Sequence, residues 1–204
     1  MIYTLSFKDR NSHSGLEINT TSSSKDTQDL SPFFLGPIPT YIPGVKSLNF
    51  ENLWQFSKCY KKHLVLNWYL TEKWEKWRNK GWSDTWAHRY PMGKGAIPEF
   101  AYWGGERLSY VDSRKKIYAP IYAKYVKKTE TFKHLKEIHK SGRTIVLRDF
   151  DAYDDDDLIK VINNPDKKMG HAFVIKMLLT GKLKECVNSE TPPELKLKDL
   201  KASH

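Results

Sequence analysis

The sequence predicts an α+β protein, predominantly helical, folded as one compact domain with a few short strands. Three observations carry this. Apolar residues recur at helical spacing in several stretches, from Phe50, from Leu108, from Phe132 and from Met169. Residues 144–147, Thr-Ile-Val-Leu, give the clearest strand signal. The chain has 204 residues with 39% hydrophobic content, enough to bury one core without disulfides or metals as staples.

Along the chain, Ile2, Leu5 and Phe7 alternate weakly and predict a first strand. Residues 11–28 are rich in Ser, Thr and Asn and read as a loop. Pro32, Pro37, Pro39 and Pro43 forbid a helix in the next stretch, yet its Phe and Leu residues call for packing on the core as an extended segment. Phe50, Leu53 and Trp54 then fall at i, i+3 and i+4, behind Asn49 as an N-cap. A Trp-rich segment follows, with Trp68, Trp74, Trp77, Trp82 and Trp86, where Thr71 caps a short helix. Residues 90–98 read as loop. A long helix is expected over 108–125, with Leu108, Val111, Tyr118, Ile121, Tyr122 and Tyr125 inside and a kink or break at Pro120. Phe132, Leu135 and Ile138 mark another helix. After the strand at 144–147 comes an acidic loop at 149–157, a helical turn at 158–162 and a buried helix over 169–179, closed by Gly181. The domain is expected to span residues 1–184, followed by a loose polar tail at 185–204.

Composition narrows the function classes. Lys and Arg number 34 against 24 Asp and Glu, a formal net charge of +10, which favours polyanionic partners such as DNA, RNA or nucleotides. The competing account is a lysine-solvated helical surface, since the lysines are dispersed. No apolar run is long enough to cross a membrane, and no membrane partner is expected. Two cysteines, Cys59 and Cys186, make no disulfide framework, and no Cys/His cluster has zinc-site spacing. These features predict an intracellular, cytoplasmic protein with reduced cysteines.

Four constellations carry candidate chemistry. Glu51, Gln55 and Lys58 stand at i, i+4 and i+7 and share one helix face. A carboxylate, an amide and an amine in line suit work on a sugar ring. The acid can stabilise positive charge or act as base, the amide can orient a hydroxyl, and the amine can trap an aldehyde carbon. An ordinary solvent-facing polar stripe has the same spacing. Second, Asp149, Asp151 and Asp154 follow an apolar strand among aromatic neighbours, placed for catalysis or for Mg²⁺. Residues 155–157 read as a solvated acidic loop. Third, Arg89-Tyr90-Pro91-Met92-Gly93-Lys94-Gly95 puts two glycines around a lysine, which brings backbone N–H groups near a phosphate without being a P-loop; a plain turn has the same composition. Fourth, Lys167-Lys168-Met169-Gly170-His171 sits at a helix start, where Gly170 permits close approach and His171 is a proton donor or a structural residue.

In this order the pieces resemble the NADAR family of YbiA-like N-glycosidases. That family has a Phe-Ser-Asn-Phe-like segment, here Leu30-Ser31-Pro32-Phe33. Its helix Glu-His-Tyr-x-Gln-Ala-x-Lys is here Glu51-Asn52-Leu53-Trp54-Gln55-Phe56-Ser57-Lys58, with Glu, Gln and Lys matching in type and spacing. Its Met-Gly-Arg turn is Met92-Gly93-Lys94, and the Ala-Lys-Phe end of its long helix is Ala123-Lys124-Tyr125. Asp151-Ala152-Tyr153-Asp154 stands for its Asp-x-Tyr-Trp-Gly region, without the Trp-Gly, and Lys168-Met169-Gly170-His171 for its Asn-x-Leu-Gly helix. The resemblance spans about residues 30–182. Tyr110 stands where the family has a Trp in its long helix, with Trp103 the alternative.

The resemblance implies a YbiA-like fold, no cofactor and no required metal. It implies a hydrolase of ribose N-glycosidic bonds, one that removes ADP-ribose from guanine in nucleic acid. Glu51 would be the essential carboxylate, Lys58 would capture the opened ribose as a Schiff base, and one of Asp149, Asp151 or Asp154 would be the second acid. Arg89 and Lys94 would neutralise phosphate, and Tyr110 or Trp103 would stack on a base. Ser31, Phe33, Gln55, Met92, Gly93, Tyr153, Gly170 and His171 would complete the substrate site. The alternatives are a non-catalytic nucleic-acid or nucleotide-binding module, and a Mg²⁺-dependent phosphohydrolase built on Asp149 and Asp151.

Overall fold

A computed structural model describes residues 1–9 and 13–202 and places them in an α+β fold. At its centre is a three-stranded parallel sheet. Strand β1 (Ile2–Ser6) begins it, and β2 (Leu16–Asn19) lies at its other edge. The middle strand comes from much later in the chain, at Ile145–Asp149, and pairs Tyr3 with Val146 and Ile18 with Leu147. β2 corrects the loop expected over 11–28. Its partner is more than a hundred residues away, so no local signal announces it. Arg10, Asn11 and Ser12, at the start of that expected loop, lie outside the described residues.

The proline-rich stretch is extended as expected and carries the two-residue strand β3 (Ile38–Pro39), paired with β4 (Lys46–Ser47). Its carbonyls have a defined use: Leu35 accepts from the Phe50 N–H at 2.8 Å and Pro32 from the Glu51 N–H at 3.0 Å. These bonds satisfy the first donors of helix α1 (Phe50–Phe56). Asn49 caps that helix through its side chain, accepting from the Asn52 N–H at 2.8 Å.

Strand β5 (Lys58–Cys59) follows at once and belongs to an antiparallel sheet completed by β8 (Phe100–Trp103) and β9 (Glu106–Leu108). Between them lie the hairpin strands β6 (Leu64–Val65) and β7 (Tyr69–Leu70), and helix α2 (Glu72–Trp82), capped by Thr71. The tryptophans of α2 build a satellite core. Arg78 is buried with its guanidinium over the Trp74 and Trp82 rings at 4.6 and 5.0 Å, and it donates to the Tyr41 hydroxyl at 2.6 Å.

The expected long helix begins at Tyr110 rather than Leu108, because Leu108 closes β9 and Ser109 caps the helix. It runs as α3 (Tyr110–Ser113), a π-helical turn (Arg114–Tyr118) and α4 (Ala119–Val126). Pro120 neither ends nor splits it. Proline has no N–H to give, and the wider turn just before it absorbs the missing bond.

Helix α5 (Glu130–Lys140), central strand β10 (Ile145–Asp149), α6 (Leu158–Asn163) and α7 (His171–Leu179) follow near their expected places. The main core lies between the parallel sheet, α4, α5 and α7, around Ile2, Tyr122, Ile145, Leu147, Phe173 and Ile175. The loose tail is corrected. Within residues 183–202 the chain forms α8 (Leu183–Asn188) and α9 (Pro193–Ala202). Cys186 is fully buried, the Asp199 carboxylate accepts from the Val111 N–H, and Lys115 donates to the Ser189 carbonyl at 2.7 Å. No helix is long and apolar enough to cross a membrane among the described residues.

Candidate active site

A cleft of about 440 Å³ opens at the C-terminal ends of β2 and β10, where open parallel sheets commonly place ligands. One wall is α1. Glu51 and Gln55 from α1, and Lys58 from β5 just past the helix's end rather than from the expected shared helix face, project into the cleft as a hydrogen-bonded line. Gln55 Nε2 donates to Glu51 Oε1 at 2.9 Å, and Lys58 Nζ donates to Gln55 Oε1 at 2.7 Å. The amide therefore spaces the acid from the amine.

Burial acts on both ends of this line. It pushes the Glu51 carboxyl above its ordinary value, and the Gln55 bond and the charges of Lys58, Arg89 and His171 pull it back only in part. It pushes the Lys58 ammonium down to about 8, against the attraction of Glu51. A surface stripe would show neither effect, so the solvent-face account of this spacing does not hold.

The facing chemistry comes from the end of β10 and the start of α7. Asp149 is buried, and its Oδ2 lies 3.1 Å from His171 Nδ1. The same oxygen accepts from the Ala172 N–H at 3.3 Å. Gly170, the N-cap of α7, has no side chain to cap with, so Asp149 supplies the acceptor from another strand. A Cβ at Gly170 would stand 2.1 Å from Asp149 Oδ2, which explains the glycine. His171 Nε2 donates to the Thr20 carbonyl at 2.7 Å. Both ring nitrogens thus face oxygen acceptors.

Asp151 is half-buried at the rim. It accepts from Arg89 Nη2 at 3.2 Å and lies 4.0 Å from Lys168 Nζ. Arg89 also lies over the Phe150 ring at 5.0 Å. The far wall is the Tyr110–Tyr118 stretch. Arg114 is buried beneath Tyr110, 4.0 Å from its ring centre, and donates to the Asn164 carbonyl at 2.6 Å and to that of Lys167. It fixes the loop that presents Lys168. Tyr118 is buried, edge-on to Trp54 at 5.0 Å, and its hydroxyl makes no hydrogen bond among the described residues. Burial, then the nearby Asp149 and Glu51, raise this phenol well above its ordinary range.

Of the residues expected at a site, the cleft gathers Ser31, Phe33, Glu51, Gln55, Lys58, Arg89, Gly93, Tyr110, Asp149, Asp151, Gly170 and His171. Five lie elsewhere, and their expected places are corrected. Asp154 points away to His13, at 3.0 Å. Tyr153 packs on Phe173, with centroids 4.8 Å apart. Trp103 joins the satellite core, edge-on to Tyr41 at 5.0 Å. Met92 and Lys94 do not line the cleft, although Gly93 and Gly95 of the same turn, with φ of +93° and +89°, do. Sequence reasoning missed Arg114 and Tyr118 as site residues, and it placed Lys168 in the fourth constellation without giving it a role. The first two lie four and eight positions after Tyr110, a helical repeat that marks the same face.

Asp149 turns to the α7 N-terminus and Asp151 to two cations. Among the described residues, no group of three or more His, Cys, Asp and Glu side chains is arranged to hold a metal.

Residues 9–175 match the model of a family of unknown function, DUF6939. The chain belongs to the DUF6939 family. No curated protein and no solved structure matches it. The matched span of this DUF6939 chain takes in every cleft-lining residue, from Thr21 to His171, and leaves α8 and α9 outside.

Proposed function

We propose that the protein is an N-glycosidase that hydrolyses a ribose N-glycosidic bond, with ADP-ribose on a guanine base of nucleic acid as its substrate. The observation that carries the reading is the Glu51–Gln55–Lys58 line, with its acid pushed up and its amine pushed down inside one cleft. A cleft of about 440 Å³ lies within the ~300–1,000 Å³ typical of small-ligand sites. The resemblance to YbiA-like N-glycosidases supports the same assignment.

In this reading the C1′–N bond breaks and the departing base nitrogen takes the proton of the Glu51 carboxyl. The neutral Lys58 amine bonds to the same anomeric carbon, and the ribose ring opens as its oxygen takes a proton from the bound amine, leaving a protonated Schiff base. Water then hydrolyses the C=N bond, which frees Lys58, returns a proton to Glu51 and releases ADP-ribose as product. The net reaction consumes one water. A raised acid and a depressed amine are the protonation states that these steps use. Arg89 and Lys168 stand at the rim for the diphosphate, held by Asp151. Asp149 and His171 position the floor of the cleft.

The test is incubation with an oligonucleotide carrying ADP-ribosylated guanine, with EDTA present, followed by mass. Wild type is expected to remove the ADP-ribose mass, and Glu51→Gln and Lys58→Ala to leave it. Borohydride is expected to trap a covalent adduct on wild type but not on Lys58→Ala. Retention of the ADP-ribose by wild type refutes this substrate. The +10 charge favours a second reading, a non-catalytic nucleic-acid or nucleotide-binding module. It predicts salt-dependent binding that survives Glu51→Gln while no substrate is cut.

A further inference from the structure

The β6–β7 hairpin stands out on the surface. Its turn places Leu66 and Asn67 at φ of +52° and +56°, and the Trp68 N–H closes it onto the Val65 carbonyl at 3.0 Å. Asn and Gly are the ordinary residues for that backbone. Here a leucine takes the first place and is 84% exposed, so neither turn chemistry nor packing accounts for it. Beside it Trp68 and Tyr69 are 61% and 63% exposed.

Trp68 is nonetheless held. The Arg107 guanidinium lies 3.9 Å from its ring centre and donates to its carbonyl. The same guanidinium lies 4.7 Å from the ring of Phe100, which lines the cleft. A cation-backed indole with its other face open is therefore continuous with the cleft wall. The surrounding charge is basic: Lys61, Lys62, Lys73, Lys76 and Lys80 are exposed around the hairpin and α2, against Glu72 and Glu75.

We infer that this hairpin is a stacking platform for single-stranded nucleic acid. Trp68 and Tyr69 would stack on unpaired bases, and the lysines would follow the phosphates. Base stacking tolerates any sequence and needs an aromatic face held still and open, while the backbone needs cations beside it. A double helix keeps its bases stacked internally and offers Trp68 no face. The inference goes beyond the glycosidase reading, since binding of an unmodified strand does not require cleavage.

The test measures anisotropy of labelled 20-nucleotide poly-dT and poly-U, and of a 20-base-pair duplex. The proteins are wild type, Trp68→Ala, Trp68→Phe, Lys61→Ala/Lys62→Ala, and Trp86→Ala as a control for an exposed tryptophan elsewhere. Thermal melts verify folding. Trp68→Ala is expected to weaken single-strand binding by about fivefold or more, the strength of one stacked base, with the salt slope unchanged. Trp68→Phe is expected to recover most of the loss. The double lysine variant is expected to flatten the salt slope. Single-strand binding unaffected by Trp68→Ala overturns the inference. So does duplex binding as tight as single-strand binding. A Trp68→Ala variant that changes only the oligomeric state in sedimentation also overturns it, and assigns the hairpin to contact between copies of the chain. A protein that binds strands through Trp68 and cuts no glycoside retains the inference and loses the glycosidase reading.

Discussion

Lys58→Met offers a quantitative test of the cleft's electrostatics. Burial holds the Lys58 ammonium at about 8 instead of its ordinary 10.5. At ~1.36 kcal/mol per pH unit, keeping it charged at pH 7 costs the native state about 3 kcal/mol, and solvent in the cleft screens this to roughly 2–3 kcal/mol. Methionine fills the same stem without the charge. It forfeits the bond to Gln55, worth about 1 kcal/mol. The net expectation is a gain of about 1–2 kcal/mol at pH 7, or roughly 2–8 °C in melting temperature for a chain of this size. Loss of this cationic neighbour also removes one of the attractions that hold the Glu51 carboxyl down.

The sign with pH is definite. Below pH 8 the wild-type amine is charged in both states, and the penalty is complete. Between about 8 and 10.5 the unfolded chain binds more protons at this site than the native one, so wild-type stability rises with pH relative to the variant. Above 10.5 the penalty is gone and only the lost hydrogen bond remains, so the variant becomes the less stable. Paired thermal melts at pH 7 and pH 10.5–11, followed by circular dichroism, read both regimes. A variant no more stable at pH 7, or an advantage that persists unchanged at high pH, refutes the buried-amine argument.

Two further outcomes follow from packing. Gly170→Ala drives a methyl group to 2.1 Å from Asp149 Oδ2 and 3.2 Å from the Asp151 backbone. It is expected to destabilise by about 1–3 kcal/mol and to weaken any cleft ligand, measured by a urea titration; an unchanged midpoint would show that Asp149 is free to move. A chain ending at Lys184 loses the buried Cys186 and the Lys115 bonds to Ser189 and Thr191. Its melting temperature is expected to fall by at least ~4 °C, corresponding to ~2 kcal/mol or more; a melt identical to that of the full chain would restore the loose tail.

What was legible in the sequence is what is local. Asn49 and Thr71 announce helix starts because a cap bonds within three residues of itself. Glu51 and Gln55 are legible as neighbours because a helix fixes which side chains share a face, whereas Lys58 reaches the line from β5, just past the helix's end. β2 is not, since its hydrogen bonds go to β10, and a Ser/Thr-rich flank looks the same in a loop. Asp149, Asp151 and Asp154 show the limit best. Their composition marks an acidic turn, but only the folded path sends Asp149 to His171, Asp151 to Arg89 and Asp154 out to His13. The final helices are polar enough to read as a tail. Their anchoring depends on partners such as Val111 and Lys115, far back in the chain.

Burial usually makes an acid and an amine seek each other, because a direct pair offsets part of the desolvation of both. In this cleft Gln55 stands between them, giving its N–H to Glu51 and its carbonyl to Lys58. The amide satisfies one bond of each group without supplying charge. Desolvation then wins at both ends, raising the acid and lowering the amine. A direct salt bridge would have held both groups ionised, where the carboxylate has no proton to give and the ammonium no lone pair. One amide between two ionisable groups thus leaves the acid above and the amine below their ordinary values, the directions that the proposed proton donor and nucleophile require. Those shifts, more than the presence of the three residues, set this line apart from an ordinary polar stripe.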